Sequence, residues 1–140
     1  MRTLAARELE AHAERLVREG KGYPRTRHRD APGAGPRQAE AENRQYRYPG
    51  TCRDRPYDRS KPHVIRFRVP EHGATGWDDI VKGHISTPHD TLQDEVILRS
   101  DRVPLYNFGA VVDDVTMGIT LVARGDDHVN NTARQILMYR

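Results

Sequence analysis

The chain has 140 residues, 36% of them hydrophobic and 31% charged, with a formal net charge of +3 and a mean hydropathy of −0.85. That length suits one ordinary domain or a substantial part of a larger one, with its apolar residues concentrated in a few segments. The sequence has no apolar run of about 18 residues and no apolar N-terminal stretch of the kind that directs secretion, so the expectation is a cytoplasmic protein that does not span a membrane. The single Cys52 excludes an intramolecular disulfide and reads as an incidental thiol.

Charge is unevenly distributed. Residues 1–60 hold 14 Lys+Arg and 9 Asp+Glu, net +5, whereas residues 61–140 hold 9 and 11, net −2. A basic front half attracts phosphate, so it is compatible with an RNA-facing surface and equally with a solvated Arg-rich one.

In chain order, Leu4, Leu9, Ala13, Leu16 and Val17 recur at helical spacing, and Gly20 and Gly22 follow. This predicts an amphipathic helix over 3–19 that packs on later segments. From Tyr23 to Ser60 the prolines, the arginines and the run A-P-G-A-G-P predict mostly loop, with about two helical turns over Gln38–Gln45. His63–Val69 reads as a half-buried strand ended by Pro70, and Trp77–Ile85 and Asp94–Arg99 as two further strands joined by S-T-P-H-D. Tyr106–Val112 reads as an apolar strand. Ile119–Ala123 has the composition of a buried parallel strand, and Asn131–Tyr139 reads as a helix whose start is capped by Asn or Thr. Strand, loop and helix in that order suit half of a βαβ unit, and the fold class is α/β.

The best-defined constellation is Arg124-Gly125-Asp126-Asp127-His128, at the expected carboxyl end of a strand, where open α/β sheets bind ligands. An Arg there can hold a carboxylate through two parallel hydrogen bonds, and neighbouring acids can take an ammonium or ribose hydroxyls. Equally, Arg124 and the two Asp can pair with one another and cap the helix. Tyr106 could close a small pocket with its ring or serve only as core. His128 could meet a phosphate or base, or pair with the acids beside it. Asp113 and Asp114 could be read as a carboxylate pair, but neighbours on a strand point opposite ways. His28, His63, His72, His84, His89 and Cys52 lack the close spacing of a zinc site.

Several blocks together resemble the bacterial glutamate-tRNA ligases, which are class I aminoacyl-tRNA synthetases. They are E-G-K-G-Y at 19–23, Y-P-G-T-C-R-D at 48–54, H-V-I-R-F-R-V-P at 63–70, W-D-D-I-V-K-G at 77–83 and D-E-V-I-L-R-S-D at 94–101. The most specific are P-L-Y-N-F-G-A-V-V-D-D at 104–114, M-G-I-T at 117–120 and R-G-D-D-H-V-N-N-T-A-R-Q-I-L at 124–137. The resemblance implies part of a Rossmann-type catalytic domain together with the α+β insertion that grips the tRNA acceptor stem. Residues 1–19 would be a helix from the end of the first Rossmann half, 20–103 the insertion, and 104–140 the start of the second half.

By position, Tyr106 and Arg124 match the residues that hold the glutamate substrate, the Arg on its carboxylate, and Asp127 matches an acidic position near ATP. The implied reaction activates glutamate with ATP and Mg²⁺ and transfers it to tRNA, in a parent protein expected to be monomeric. The two signature motifs that serve ATP, H-x-G-H and a K-M-S-K-type loop, do not occur in the sequence. No residue is therefore assigned a catalytic role, and the expectation is an internal piece, inactive alone, with apolar surface exposed. A stand-alone module that binds the tRNA acceptor stem without catalysis is the alternative reading.

Departures from the family pattern are Arg102 where Gly is usual, Leu105 where Thr is usual, Val115 and Leu121 where His is usual, and Ala133 where Pro is usual. The C-x-C pair that many relatives use for zinc is replaced by Y-P-R-T-R-H, leaving Cys52 alone, so zinc is not expected.

Overall fold

A computed structural model describes residues 4–26, 36–43, 48–58 and 60–140. The first helix, α1 (Leu4–Arg18), buries Ala13 and Leu16, with Leu9 and Val17 packed alongside, as the spacing predicts. It ends where Gly20 takes φ 74°. The Gly20 N–H then donates to Val17 O (3.1 Å) and the Lys21 N–H to Leu16 O (2.9 Å), a double closure that needs a residue free of Cβ strain at that point.

The chain turns straight into β1 (Gly22–Thr26), a strand inside the stretch expected to be loop. Pro24 is accommodated because β1 is an edge strand, where a missing N–H costs no ladder bond. A short helix, α2 (Pro36–Ala41), lies earlier than the expected Gln38–Gln45. Residues 44 and 45, His28 and most of the A-P-G-A-G-P run lie outside the described residues.

Then come β2 (His63–Phe67), β3 (Ala74–Asp79), β4 (Gly83–Pro88) and β5 (Val96–Leu98). Strands β1, β2 and β5 form one antiparallel sheet in that order, with Ile65 opposite Leu98, and β3 and β4 form a separate hairpin. Trp77–Ile85 is thus two strand segments and a turn rather than one strand. The Asp79 carboxylate makes the turn by accepting the Val81 and Lys82 N–H groups, both at 2.9 Å. These bonds hold its carboxyl below the usual range.

Two helices close the chain, α3 (Tyr106–Met117) and α4 (Val129–Tyr139). Tyr106–Val112 is therefore helix, not strand. Phe108, Val111 and Val112 are buried along it, three and four residues apart, which is helical and not alternating spacing. Gly118 (φ 66°) closes α3 with the same pair of bonds that ends α1, here from Gly118 to Val115 O and from Ile119 to Asp114 O.

The expected parallel strand at Ile119–Ala123 is irregular and exposed. Among the described residues no strand offers it a ladder, and an apolar segment without a pairing edge cannot satisfy its backbone as a strand. Val115, Met117, Leu121 and Val122 stay at least half exposed, so the expected apolar surface is present. The α4 helix agrees with expectation, but its cap residue is His128 and no side chain caps it.

The core lies between the three-stranded sheet and α1, α3 and α4, around Ile65, Ile97, Leu98, Phe108, Ala133 and Leu137. Fully burying the larger of these side chains contributes about 1.5–3 kcal/mol each. A second cluster of Tyr23, Tyr48 and Cys52 sits beside a polar clasp on Asp94, which is 2% exposed. Its carboxylate accepts from Tyr23 Oη (2.5 Å), Arg53 Nε and Nη2 (both 2.7 Å) and the Val69 N–H (3.0 Å). Burial alone would raise its pKa, but these bonds outweigh it and hold the carboxyl below the usual range.

Candidate functional site

The residues singled out from sequence gather around the N-terminal ends of α3 and α4. Tyr106 opens α3 and is 61% exposed, so it is not core. Its ring centroid lies 6.0 Å from that of His128, which ends the 3-10 turn Asp126–His128 leading into α4. His128 Nε2 is 3.6 Å from an oxygen of Asp127. Beside Tyr106 a cleft of about 420 Å³ opens between β5 and α3, lined among others by Arg66, Glu95 and Asn107.

Arg124 follows the irregular segment and reaches across to α4, donating from Nη1 to Gln135 Oε1 and from Nη2 to Thr132 Oγ1, both at 2.8 Å. The anticipated self-pairing of Arg124 with Asp126 and Asp127 does not occur. Asp126 instead pairs with Lys82 at the hairpin turn, Nζ to Oδ2 2.8 Å, and this contact raises the Lys82 pKa. A Cβ on Gly125 would stand 2.7 Å from Asp127 Oδ1, a contact that the exposed Asp127 side chain could relieve by moving.

A partly buried relay joins the two helices. Gln135, 4% exposed, donates from Nε2 to Asn107 Oδ1 (3.0 Å), and Asn107 donates from Nδ2 to Glu95 Oε2 (3.2 Å). Glu95 also pairs with Arg134 at 2.5 Å. The fold thereby brings Tyr106, Arg124 and Asp127 into one neighbourhood, Arg124 through Gln135 to Asn107 and Asp127 through His128 to Tyr106. Sequence reasoning gave Gln135, Asn107 and Glu95 no role. The available signal was a glutamine at 135 between the buried Ala133 and Leu137.

Near the site, Asp113 accepts from Thr116 Oγ1 only through its backbone carbonyl at 3.2 Å, whereas the Asp114 carboxylate accepts from Tyr139 Oη at 2.7 Å. Burial, with that bond behind it, pushes the Tyr139 phenol up to about 12. The basic front half is partly spent internally. Arg25 stacks on the Tyr48 ring at 4.6 Å, joined there at 4.0 Å by Arg66 from β2, and Arg53 is held by Asp94. Cys52 is buried, and its N–H donates to Tyr48 Oη at 3.1 Å.

Residues 3–140 match the family model of the catalytic domain of class I tRNA synthetases (E and Q). The chain belongs to this family. A glutamate–tRNA ligase of Anaeromyxobacter sp. (strain K) is 75% identical over 129 residues, covering 92% of this chain and 27% of the relative. One from Geobacter sulfurreducens is 50% identical over 127 residues, covering 90% and 27%. The chain thus spans about 27% of the length of these relatives.

In fold it is similar to a crystal structure of a glutamate tRNA ligase from Elizabethkingia meningosepticum in complex with its amino acid. The TM-score is 0.83 at 24% identity, over 96% of this chain and 30% of that one. The mixed helix and strand architecture is therefore that of a class I synthetase catalytic domain, although every strand pairing among the described residues is antiparallel. No helix of the described residues is long and apolar enough to cross a membrane.

Proposed function

We propose that this chain carries part of the catalytic domain of a cytoplasmic, monomeric glutamate–tRNA ligase, in which ATP activates glutamate for transfer to tRNA. In this reading residues 1–19 end the first Rossmann half, 20–103 form the acceptor-binding insertion, and 104–140 begin the second half. Arg124 takes the substrate carboxylate, Tyr106 closes over the amino acid, and Asp127 faces ATP. The observation that carries it is the fixed guanidinium of Arg124. Two of its five N–H donors go to neutral acceptors on α4, and no carboxylate of the described residues neutralises it, so it is preset for an incoming anion. The catalytic-domain match across 3–140 favours this reading over a stand-alone acceptor-stem module.

The chain's residues contribute binding and orientation. Ordering of this kind places a substrate carboxylate before reaction and spares the entropy of arranging it later. Magnesium accompanies ATP in the implied chemistry. Magnesium that arrives with ATP is bound chiefly by the phosphates and needs at most one or two protein carboxylates, and among the described residues no group of three His, Cys, Asp or Glu gathers to hold a metal ion by itself.

The test is a titration of the chain with L-glutamate, L-glutamine and acetate, followed by the side-chain NMR signals of Arg124 and His128. A saturable shift with L-glutamate, weaker with glutamine and absent in Arg124→Ala, is the expected result. Identical responses to all three anions and amino acids would overturn the substrate assignment. A parallel titration with tRNA-Glu and an unrelated tRNA at two salt concentrations checks the RNA partner, with tighter, salt-weakened binding to tRNA-Glu expected.

A further inference from the structure

The relay beneath the site has a fixed polarity. Arginine can only donate and an ionised carboxylate can only accept, so the two ends determine how the amides between them are oriented. Arg124 donates to Gln135 Oε1, which leaves Gln135 Nε2 to donate to Asn107 Oδ1, and Asn107 Nδ2 to donate to Glu95 Oε2. Reversing either amide would set donor against donor. Gln135 is buried to 4% exposure, so water has little access to its amide, and an amide there is costly unless both its ends are satisfied.

We infer that Gln135 is a positioning residue for the carboxylate-binding site: its locked amide, with Thr132 beside it, holds the Arg124 guanidinium in one orientation for a carboxylate-bearing amino acid. This deepens the assignment of Arg124 above and rests on it. Glu95 lies just before β5 and is held on its other side by Arg134, so the orientation of Arg124 is referred back to the three-stranded sheet. The exposed loop 119–127 alone does not set it. An isolated arginine on such a loop would lose rotamer freedom on binding, whereas one already held loses less.

The experiment compares the chain with its Gln135→Met, Gln135→Glu and Thr132→Val variants, using NMR of the Arg124 guanidinium and titration with L-glutamate. In the parent chain, rotation about the Arg124 Nε–Cζ bond is expected to be slow. Gln135→Met, similar in size and without the amide, should accelerate it and weaken L-glutamate binding about tenfold. Thr132→Val removes the second grip at a partly exposed position and should give a smaller change in the same direction, which keeps the test valid if the buried variant folds poorly. Gln135→Glu should retain slow rotation and yet lose glutamate binding, because a carboxylate on Arg124 competes with the ligand. A packing defect does not produce that separation. Unchanged rotation and affinity in Gln135→Met, with binding abolished in Arg124→Ala, would overturn the positioning role and leave the site standing. Absence of any L-glutamate binding by the parent chain would overturn the site assignment and this inference with it.

Discussion

Asp94→Asn tests the polar clasp that ties β1, the segment around Arg53 and the residues just after β2 to the segment leading into β5. Four donor groups converge on its two oxygens, Tyr23 Oη and Arg53 Nε on one, Arg53 Nη2 and the Val69 N–H on the other. An amide presents one oxygen and one NH₂, so in either orientation two of the four bonds are lost or become repulsive. The Arg53 guanidinium, its side chain 20% exposed, then keeps only the exposed Glu71 as a counter-charge. Breaking a buried pair from one side costs about 3–5 kcal/mol, a large share of the roughly 5–15 kcal/mol that stabilises a domain. Urea unfolding followed by the emission of Trp77, the single tryptophan and packed against the core, should show a lower midpoint with an unchanged slope. A loss below about 1 kcal/mol, within the range of an exposed pair, would refute the reasoning. The same carboxylate has a depressed pKa. Its contribution is therefore fully present above the unfolded value near 3.9 and is lost as pH falls through the lower folded value, and Asp94→Asn should flatten that acid limb.

Arg102 holds φ 67°, the left-handed region that costs a side chain about 1–2 kcal/mol, while its guanidinium meets Glu10 at 3.3 Å and Glu14 at 3.7 Å. Arg102→Gly should leave the urea midpoint within about 1 kcal/mol of the parent, and Arg102→Ala, which keeps the strain and loses the pairs, should fall about 1 kcal/mol below Arg102→Gly. Leu105 caps α3 with no side-chain hydrogen bond and is 41% exposed. Leu105→Thr should raise stability by about 1 kcal/mol, measured by the same unfolding curve. The Tyr139 phenol, pushed up to about 12, stabilises fully below its unfolded value near 10 and loses that contribution as pH rises through about 12. Ultraviolet titration should show a late tyrosine near there, besides Tyr23, whose burial and bond to Asp94 hold its phenol higher still, and Tyr139→Phe should remove only the earlier of the two.

Local pattern was enough for some elements and insufficient for others. Helix α1 was legible because its stripe and its closing glycine are both written within one segment. So was β2, where alternation survives in the buried, half-buried order from His63 to Phe67. Strand β1 was not, because the proline and arginine of G-Y-P-R-T read as loop until β2 supplies a partner. The residues at 106–112 were read as strand because a short apolar run carries no period that separates strand from helix. In the candidate site, Tyr106, Arg124 and Asp127 are proposed from sequence because they match positions in the family pattern. Gln135 and Asn107 are not, because their role exists only when α3 and α4 lie side by side.

The sequence by itself determined the family, the amphipathic first helix, the last helix and the identity of the candidate contacts, all of which depend on residue type and order along the chain. Tertiary structure alone decided what Arg124 bonds to, that Asp126 answers Lys82 across 44 positions, and that Ile119–Ala123 stays out of any sheet. Those outcomes depend on which backbone edges and polar atoms meet across the fold. Hydrogen bonds and ladders between distant segments are set by packing geometry, which no local pattern encodes.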